Sequence, residues 1–288
     1  MLYNQGKFDE AFEAYDLVIR LDPGDAAAWE YKGNALNCLA KYDDAVKAYD
    51  EAIRLNPDLA MTWGDKGVAL YNQRKFDEAI QAFDEAIRLN PNLAEVWNDK
   101  GIALDYQKKY DEAIEACNEA IRIDPKYAEA WNGKGSALYS QGKYNESIEA
   151  YDEAIRLDPK YAEAWNGKGN ALKSEEKNDE AIQAYNEAIR LNPNYAQAWN
   201  NKGIALKNLG KYNEAIEAYD EAIRLDPNFA MPWNNKGNAL DYQKKAYEAI
   251  RAYDEAIRLD PNYSQPWHNK GIALYGQGNY NESHRGFR

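Results

Sequence analysis

The chain has 288 residues, 45% of them apolar and 29% charged, with a formal net charge of −13 at pH 7. That composition excludes a disordered polymer, and the acidic balance argues against non-specific nucleic-acid binding, which needs basic patches. No apolar run approaches the roughly 20 residues of a membrane span, and the opening MLYNQGKFDEAF lacks the basic-then-apolar order of a signal peptide.

Read in chain order, the sequence repeats every 34 residues. Trp29, Trp63, Trp97, Trp131, Trp165, Trp199, Trp233 and Trp267 are the eight tryptophans, and all fall on one series. Pro23, Pro57, Pro91, Pro125, Pro159, Pro193, Pro227 and Pro261 follow the same period. The chain thus divides into a partial repeat at 1–25, full repeats at 26–59, 60–93, 94–127, 128–161, 162–195, 196–229 and 230–263, and a partial repeat at 264–288. With Ala26 as position 1, Trp stands at position 4, Gly at 8, Leu at 11, a small residue at 20 and 27, and an aromatic nearly always at 24.

Within each repeat, apolar residues recur at three- and four-residue steps in two runs. This predicts two amphipathic helices, at about positions 2–14 and 16–30. The proline at position 32 lacks an amide hydrogen and restrains its predecessor, so the second helix must stop there. Acidic residues in the first turn of the second helix (Asp77, Glu78) and Arg in its last turn suit the helix dipole. A single hairpin cannot bury its apolar face, whereas stacked neighbours can, which makes the fold class all-α.

The pattern W-x3-G-x2-L…A-x3-Y-x2-A…P at period 34 resembles the tetratricopeptide repeat (TPR) family over the whole chain. The resemblance implies a right-handed TPR superhelix, an α-solenoid of helix-turn-helix repeats. It also implies a concave groove lined by positions 2, 5, 6, 9, 12 and 13 of the first helices, and a non-enzymatic scaffold for protein–protein interaction.

The sequence departs from that family at several places. Position 7, a Leu in the family, is always Lys: Lys32, Lys66, Lys100, Lys134, Lys168, Lys202, Lys236 and Lys270. The resulting GKG of Gly133–Gly135 is not a phosphate loop, because the G-x-x-x-x-G-K-[ST] spacing is absent and the segment lies inside a helix. A lysine whose stem packs between helices while its ammonium reaches a carboxylate explains it; a row that touches a partner is the alternative. Asn178 and Ala246 at position 17, and Cys117 at position 24, put small side chains where the core wants large ones. Cys38 and Cys117 make no disulfide framework, which fits a reducing, cytoplasmic setting. Met1 and Arg288 fall inside helices of partial repeats without polar capping helices, so pairing of open ends into a homo-oligomer is an expectation.

No catalytic set is visible. His268 and His284 have no neighbouring cysteine, zinc-type spacing is absent, and neither a metal nor a cofactor is expected. Carboxylates along the second helices read as a solvated face. The N-x-[ST] triplets at Asn145, Asn262 and Asn281 occur at the level of chance in so Asn-rich a chain.

Candidate binding residues come from the groove positions that the family implies. Position 5 holds Asn98, Asn132, Asn166, Asn200 and Asn234; position 6 adds Asn201, Asn235 and Asn269; position 9 adds Asn34, Asn170 and Asn238. A side-chain amide offers two donors and an acceptor to an extended main chain. The series is similar to the asparagine ladder in the TPR superhelix of protein O-GlcNAc transferases, which implies peptide-backbone binding; Asn as a neutral surface choice is the alternative. Tyr71, Tyr106, Tyr139, Tyr242 and Tyr275 add stacking surface. Groove charge runs from Glu95, Asp99, Asp105, Glu129 and Glu163 to Lys173 and Lys207. The Lys and Arg of the chaperone-type carboxylate clamp are missing. The expected partner is a protein or peptide; self-assembly through the ends, or service as the targeting arm of a larger enzyme, are the other readings.

Overall fold

The computed structural model describes residues 7–276. His284, the triplet at Asn281 and the two chain ends invoked for pairing lie outside the described residues. The described helices alternate between 14 and 13 residues. The first helices of the repeats are α2 Ala26–Cys38, α4 Ala60–Asn72, α6 Ala94–Tyr106, α8 Ala128–Ser140, α10 Ala162–Ser174, α12 Ala196–Asn208, α14 Ala230–Tyr242 and α16 Ser264–Gly276. The second helices are α1 Phe8–Leu21, α3 Tyr42–Leu55, α5 Phe76–Leu89, α7 Tyr110–Ile123, α9 Tyr144–Leu157, α11 Asn178–Leu191, α13 Tyr212–Leu225 and α15 Ala246–Leu259. No strand occurs among the described residues.

The boundaries have local causes. Second helices start at position 17, one residue later than the periodicity predicts, because the chain turns sharply at position 15. There the backbone is left-handed: φ is 85° at Gly142 and 75° at Gly210, and the same turn forces 55–62° on Ala40, Arg74, Lys108, Glu176 and Lys244. The following lysine amide closes each turn onto a first-helix carbonyl, as Lys75 does onto Leu70 at 3.0 Å. At the other end, the Asp or Asn before each proline accepts the amide two residues on, as Asp158 does from Lys160 at 2.9 Å. The Trp165 indole then donates to the Pro159 carbonyl at 3.3 Å, locking the joint in register, and Trp29, Trp63, Trp97, Trp131 and Trp267 repeat this.

The chain forms two compact units, 1–143 and 144–288. In the first, α1 to α7 stack in order, α8 packs on α7 and α6, and neighbouring first helices touch along the series. In the second, α9 to α16 do the same from α9 onto α10. At Gly33, Gly67, Gly169, Gly203 and Gly237 the core of the layer is one ring laid over one glycine. A Cβ on Gly203 would stand 2.5 Å from the buried Tyr219 ring, and Gly33, Gly67 and Gly169 stand equally close to Tyr49, Phe83 and Tyr185. Cys117 takes the ring's place against Gly101, buried, and burial pushes its thiol up to about 12.

The ring hydroxyls are not equivalent. Tyr49, Tyr185 and Tyr253 donate to the position-9 amides Asn34, Asn170 and Asn238 at 2.7–2.9 Å. Tyr219 meets Ile204 at that register, and its buried hydroxyl has no partner. Tyr219→Phe is therefore expected to be neutral or stabilising, by up to about 1 kcal/mol. Tyr185→Phe, which strands the Asn170 oxygen, is expected to cost about 1 kcal/mol. Urea midpoints of the two variants check the opposite signs.

The position-7 lysines tie successive repeats together. Lys32, Lys66 and Lys100 in the first unit, and Lys168, Lys236 and Lys270 in the second, each reach an Asp sixteen residues earlier, on the preceding second helix, at 2.5–2.7 Å. The ammonium groups of Lys32, Lys66, Lys100, Lys168 and Lys236 also lie over the ring of their own repeat's Trp, as Lys168 does over Trp165 at 5.6 Å. Packing against a carboxylate accounts for the Lys in these six repeats. Lys134 and Lys202 have Asn118 and Asn186 at the Asp register. Lys202, half-buried, has its pKa lowered by desolvation. Lys202→Leu is expected to stabilise by about 1 kcal/mol, since an apolar side chain removes a poorly compensated charge. Lys236→Leu, at a paired site, is expected to gain less; thermal melts of the two compare them.

Candidate interaction face

Sequential packing of the first helices puts positions 5, 6, 9, 12 and 13 of each beside those of the next, within each unit. The position-5 amides lie at the seam between helices. Asn98, Asn166, Asn200 and Asn234 are buried, at most 7% exposed. In the second unit they are clasped by the position-6 amide of the following repeat: Asn201 donates to Asn166 at 3.1 Å, Asn235 to Asn200 at 2.9 Å and Asn269 to Asn234 at 3.0 Å. Asn269 also donates to Asn238 at 2.9 Å. These position-5 side chains therefore join repeats and do not line the open surface. Asn132, half-buried, is the member of the row with more solvent access.

The open part of the face is made by positions 6, 9, 12 and 13. In the second unit, Lys207, Asn238, Asp241, Tyr242, Asn269 and Ile272 surround a groove of about 290 Å³. Four of these six are residues the sequence singles out. Tyr242 is 65% exposed and stacks on Tyr212 at 5.3 Å between centroids. Tyr275 is 60% exposed. Lys173 is half-buried, and desolvation, then the nearby Lys207, lower its pKa. Asn170 is held by the Tyr185 hydroxyl.

In the first unit the same face is acidic. Asp65 accepts from Asn34, and Asp99 from Asn98. Thr62 donates to Glu30 at 2.6 Å and Ser136 to Asp105 at 3.1 Å. Burial, with Glu30 and Glu95 adding like charge, pushes the Asp65 carboxyl up to about 6. Burial, with Glu95 and Asp65, does the same at Asp99, also to about 6. Tyr106, 60% exposed, stacks on Phe76 at 5.4 Å and meets Tyr71 edge-on at 5.5 Å. Tyr139 is half-buried on α8. Glu30 and Asp65 belong to this cluster although neither is conspicuous in the sequence; the signal that finds them is the absence of any Lys or Arg from the face positions of α2, α4, α6 and α8.

Among the described residues no group of His, Cys, Asp and Glu has the arrangement to hold a metal ion, and no helix is long and apolar enough to cross a membrane.

Family models described as tetratricopeptide repeat match residues 2–60, 39–94 and 65–128, then 116–149 and 252–285, and 196–229 and 230–263. A model described as TPR repeat matches 135–175 and 169–210. No curated protein sequence matches the chain. Among solved structures, a chain of the APC/C hetero-tetramer Cut9–Hcn1 superposes with a TM-score of 0.73 over 93% of this chain, at 19% identity. This chain spans about half, 52%, of that one. YrrB, described as a TPR protein with an unusual peptide-binding site, gives 0.51 at 24% identity over 66% of this chain and 98% of its own. MamA gives 0.51 at 27% identity over 57% of this chain and 96% of its own. With matches that together run from residue 2 to residue 285, on top of the hairpin geometry, the chain belongs to the tetratricopeptide repeat family.

Proposed function

We propose that the chain is a non-enzymatic interaction module that takes an extended segment of a partner protein along the face of its first helices. The observation that carries this reading is the groove of the second unit, where amides (Asn238, Asn269), an aromatic (Tyr242) and a cation (Lys207) converge on about 290 Å³ of open space. Amides at that spacing pair with a peptide main chain, and a solvent-exposed tyrosine offers area at low entropic cost. The buried position-5 asparagines hold this surface in shape by joining one first helix to the next. Asn170 extends this face within the second unit, and Asn132 and Tyr139 hold the equivalent positions on α8 of the first unit.

A peptide selected from a random display library against the whole chain tests the reading. Tyr242→Ala should weaken its binding by about tenfold, the loss typical of one well-placed aromatic anchor. Tyr247→Ala, at a 70%-exposed tyrosine on the second helix α15, should leave it unchanged. Equal losses, or a loss only at Tyr247, would place binding elsewhere.

A further inference from the structure

Two cations of the second unit lack counter-ions. At positions 2, 5, 6, 9, 12 and 13 of α10, α12, α14 and α16 the charged side chains are Glu163, Lys173, Lys207 and Asp241, with His268 besides. Lys173 and Lys207 hold position 12 of α10 and α12, first helices in contact with each other. Both are half-buried. Among the described residues neither enters an ion pair, whereas Lys168, Lys211, Lys236 and Lys270 of the same unit each do. Glu163 stands ten residues back on α10, about 15 Å along the helix axis. Asp241 lines the groove with Lys207 without coming within ion-pair distance. Burial, then the Lys207 charge, lower the Lys173 pKa, and no carboxylate offsets them. Half-buried like charges side by side are costly until an opposite charge joins them.

A second observation is independent of charge: the position-9 amides beside these lysines have donors to spare. The Asn170 oxygen, one turn before Lys173 on α10, is taken by the Tyr185 hydroxyl at 2.9 Å. The Asn238 oxygen on α14 accepts from the Tyr253 hydroxyl and from Asn269, each at 2.9 Å. With the oxygens occupied, the amide nitrogens are the free ends. Among the described residues neither has an acceptor, and neither is sealed from solvent. Asn201 and Asn235 differ, because they spend donors on Asn166 and Asn200. Asn238 and Lys207 both line the open groove. The strip across α10, α12 and α14 therefore offers N–H donors from four side chains. A carboxylate is the complementary group, since it only accepts and has about four lone-pair sites.

We propose that the face of the second unit docks an internal acidic segment of a partner protein, with an Asp or Glu side chain seated between Lys173 and Lys207 and the Asn170 and Asn238 amides donating to the same segment. The inference rests on the interaction-module reading above and adds the ligand's chemistry. Charge complementarity selects this occupant: a neutral segment leaves both ammonium groups unpaired, and a basic one repels them. Hydrogen bonds from an ammonium to a carboxylate are also about twice as strong as neutral ones. The chain as a whole carries a net charge of −13, so its overall field repels an acidic segment. Affinity for such a segment can come only from a local cluster of donors, which makes the proposal sharp to test.

The test uses the intact chain and three short fluorescent peptides with acetylated and amidated ends, alternating Glu with Ser, Lys with Ser, and Gly with Ser. Anisotropy titrations near neutral pH are combined with hydroxyl-radical footprinting of the tyrosines. The Glu/Ser peptide should bind about tenfold tighter than Gly/Ser, the gain from one well-placed hydrogen bond to a charged group, and should shield Tyr242. Lys173→Gln with Lys207→Gln should erase that advantage. Lys173→Arg with Lys207→Arg, which keeps the charges, should retain it. Lys126→Gln with Lys160→Gln, at two exposed lysines of turns, should leave it unchanged. A Glu/Ser peptide that binds no tighter than Gly/Ser or Lys/Ser overturns the proposal, as does an unshielded Tyr242. Equal loss in both Gln pairs, no loss in the first, or equal loss in the Gln and Arg variants of Lys173 and Lys207 overturns it as well. The display-selected peptide, run alongside, separates the two readings. If it shields Tyr106, Tyr242 or Tyr275 while Glu/Ser fails, the ligand chemistry falls and the interaction face stands. If it shields Tyr247 alone, both fall.

Discussion

Gly203→Ala is expected to destabilise the protein by about 2 kcal/mol, although alanine is the better helix former. The propensity gain is at most about 1 kcal/mol. Against it stands a Cβ 2.5 Å from the Tyr219 ring, which is fully buried and cannot swing away. Overpacking of that kind costs about 1–3 kcal/mol, with the upper end expected where a ring is pinned. A double-mutant cycle isolates the cause. In a Tyr219→Ala background, itself expected to cost about 3–5 kcal/mol, the glycine substitution has nothing to strike and should turn neutral or mildly stabilising. An undiminished penalty in that background would mean that Gly203 serves some other need of the helix.

The second large effect concerns acid. Asp65 and Asp99 have folded pKa values of about 6 against an ordinary value near 3.8. By linkage, the folded state binds protons more tightly than the unfolded state between about pH 4 and 6. Ionising these groups costs stability, and that cost is relieved as pH falls through 6. Wild-type protein should therefore be more stable near pH 5 than near pH 7.5. Asp65→Asn with Asp99→Asn should gain about 2–4 kcal/mol at neutral pH and show a flatter profile, since each tenfold weakening of an acid on folding costs roughly 1.4 kcal/mol once it ionises. Asp16 works the other way, because the Lys32 ammonium holds its carboxyl below the usual range and its contribution is lost at lower pH. Urea midpoints between about pH 2.5 and 8 resolve the two windows. A wild-type midpoint that only falls on acidification from pH 7.5 to 5 would contradict the crowded acidic face.

Most of the fold is legible in the chain because each structural need recurs at one register. Trp at position 4 reads as the lock on the Pro carbonyl, Gly at 8 as the seat of a ring, Pro at 32 as the stop of a helix. The position-7 lysine is legible too, once one looks sixteen residues back and finds Asp in six repeats and Asn in two. The candidate site is less legible. Which way an amide points depends on how far each first helix rotates against the next, and that rotation is a packing outcome invisible to a single-repeat pattern. Hence position 5 counts as groove in the sequence and as seam in the structure, with Asn200 1% exposed. Asp65 escapes notice for a related reason: a lone Asp on a helix looks solvated, and only neighbours on the adjacent first helices, Glu30 and Asp99, reveal the crowding.

If ligands meet the first helices, the tyrosines will record it. Hydroxyl-radical footprinting of the whole chain with a display-selected peptide reads this directly, because exposed tyrosines mark both sides of the repeats. Tyr106, Tyr242 and Tyr275 stand on first helices and Tyr247 on a second helix, all 60–70% exposed. The peptide is expected to shield at least one of the first three and to leave Tyr247 at its unbound rate. Shielding of Tyr247 with all three others unchanged would contradict binding along the first helices.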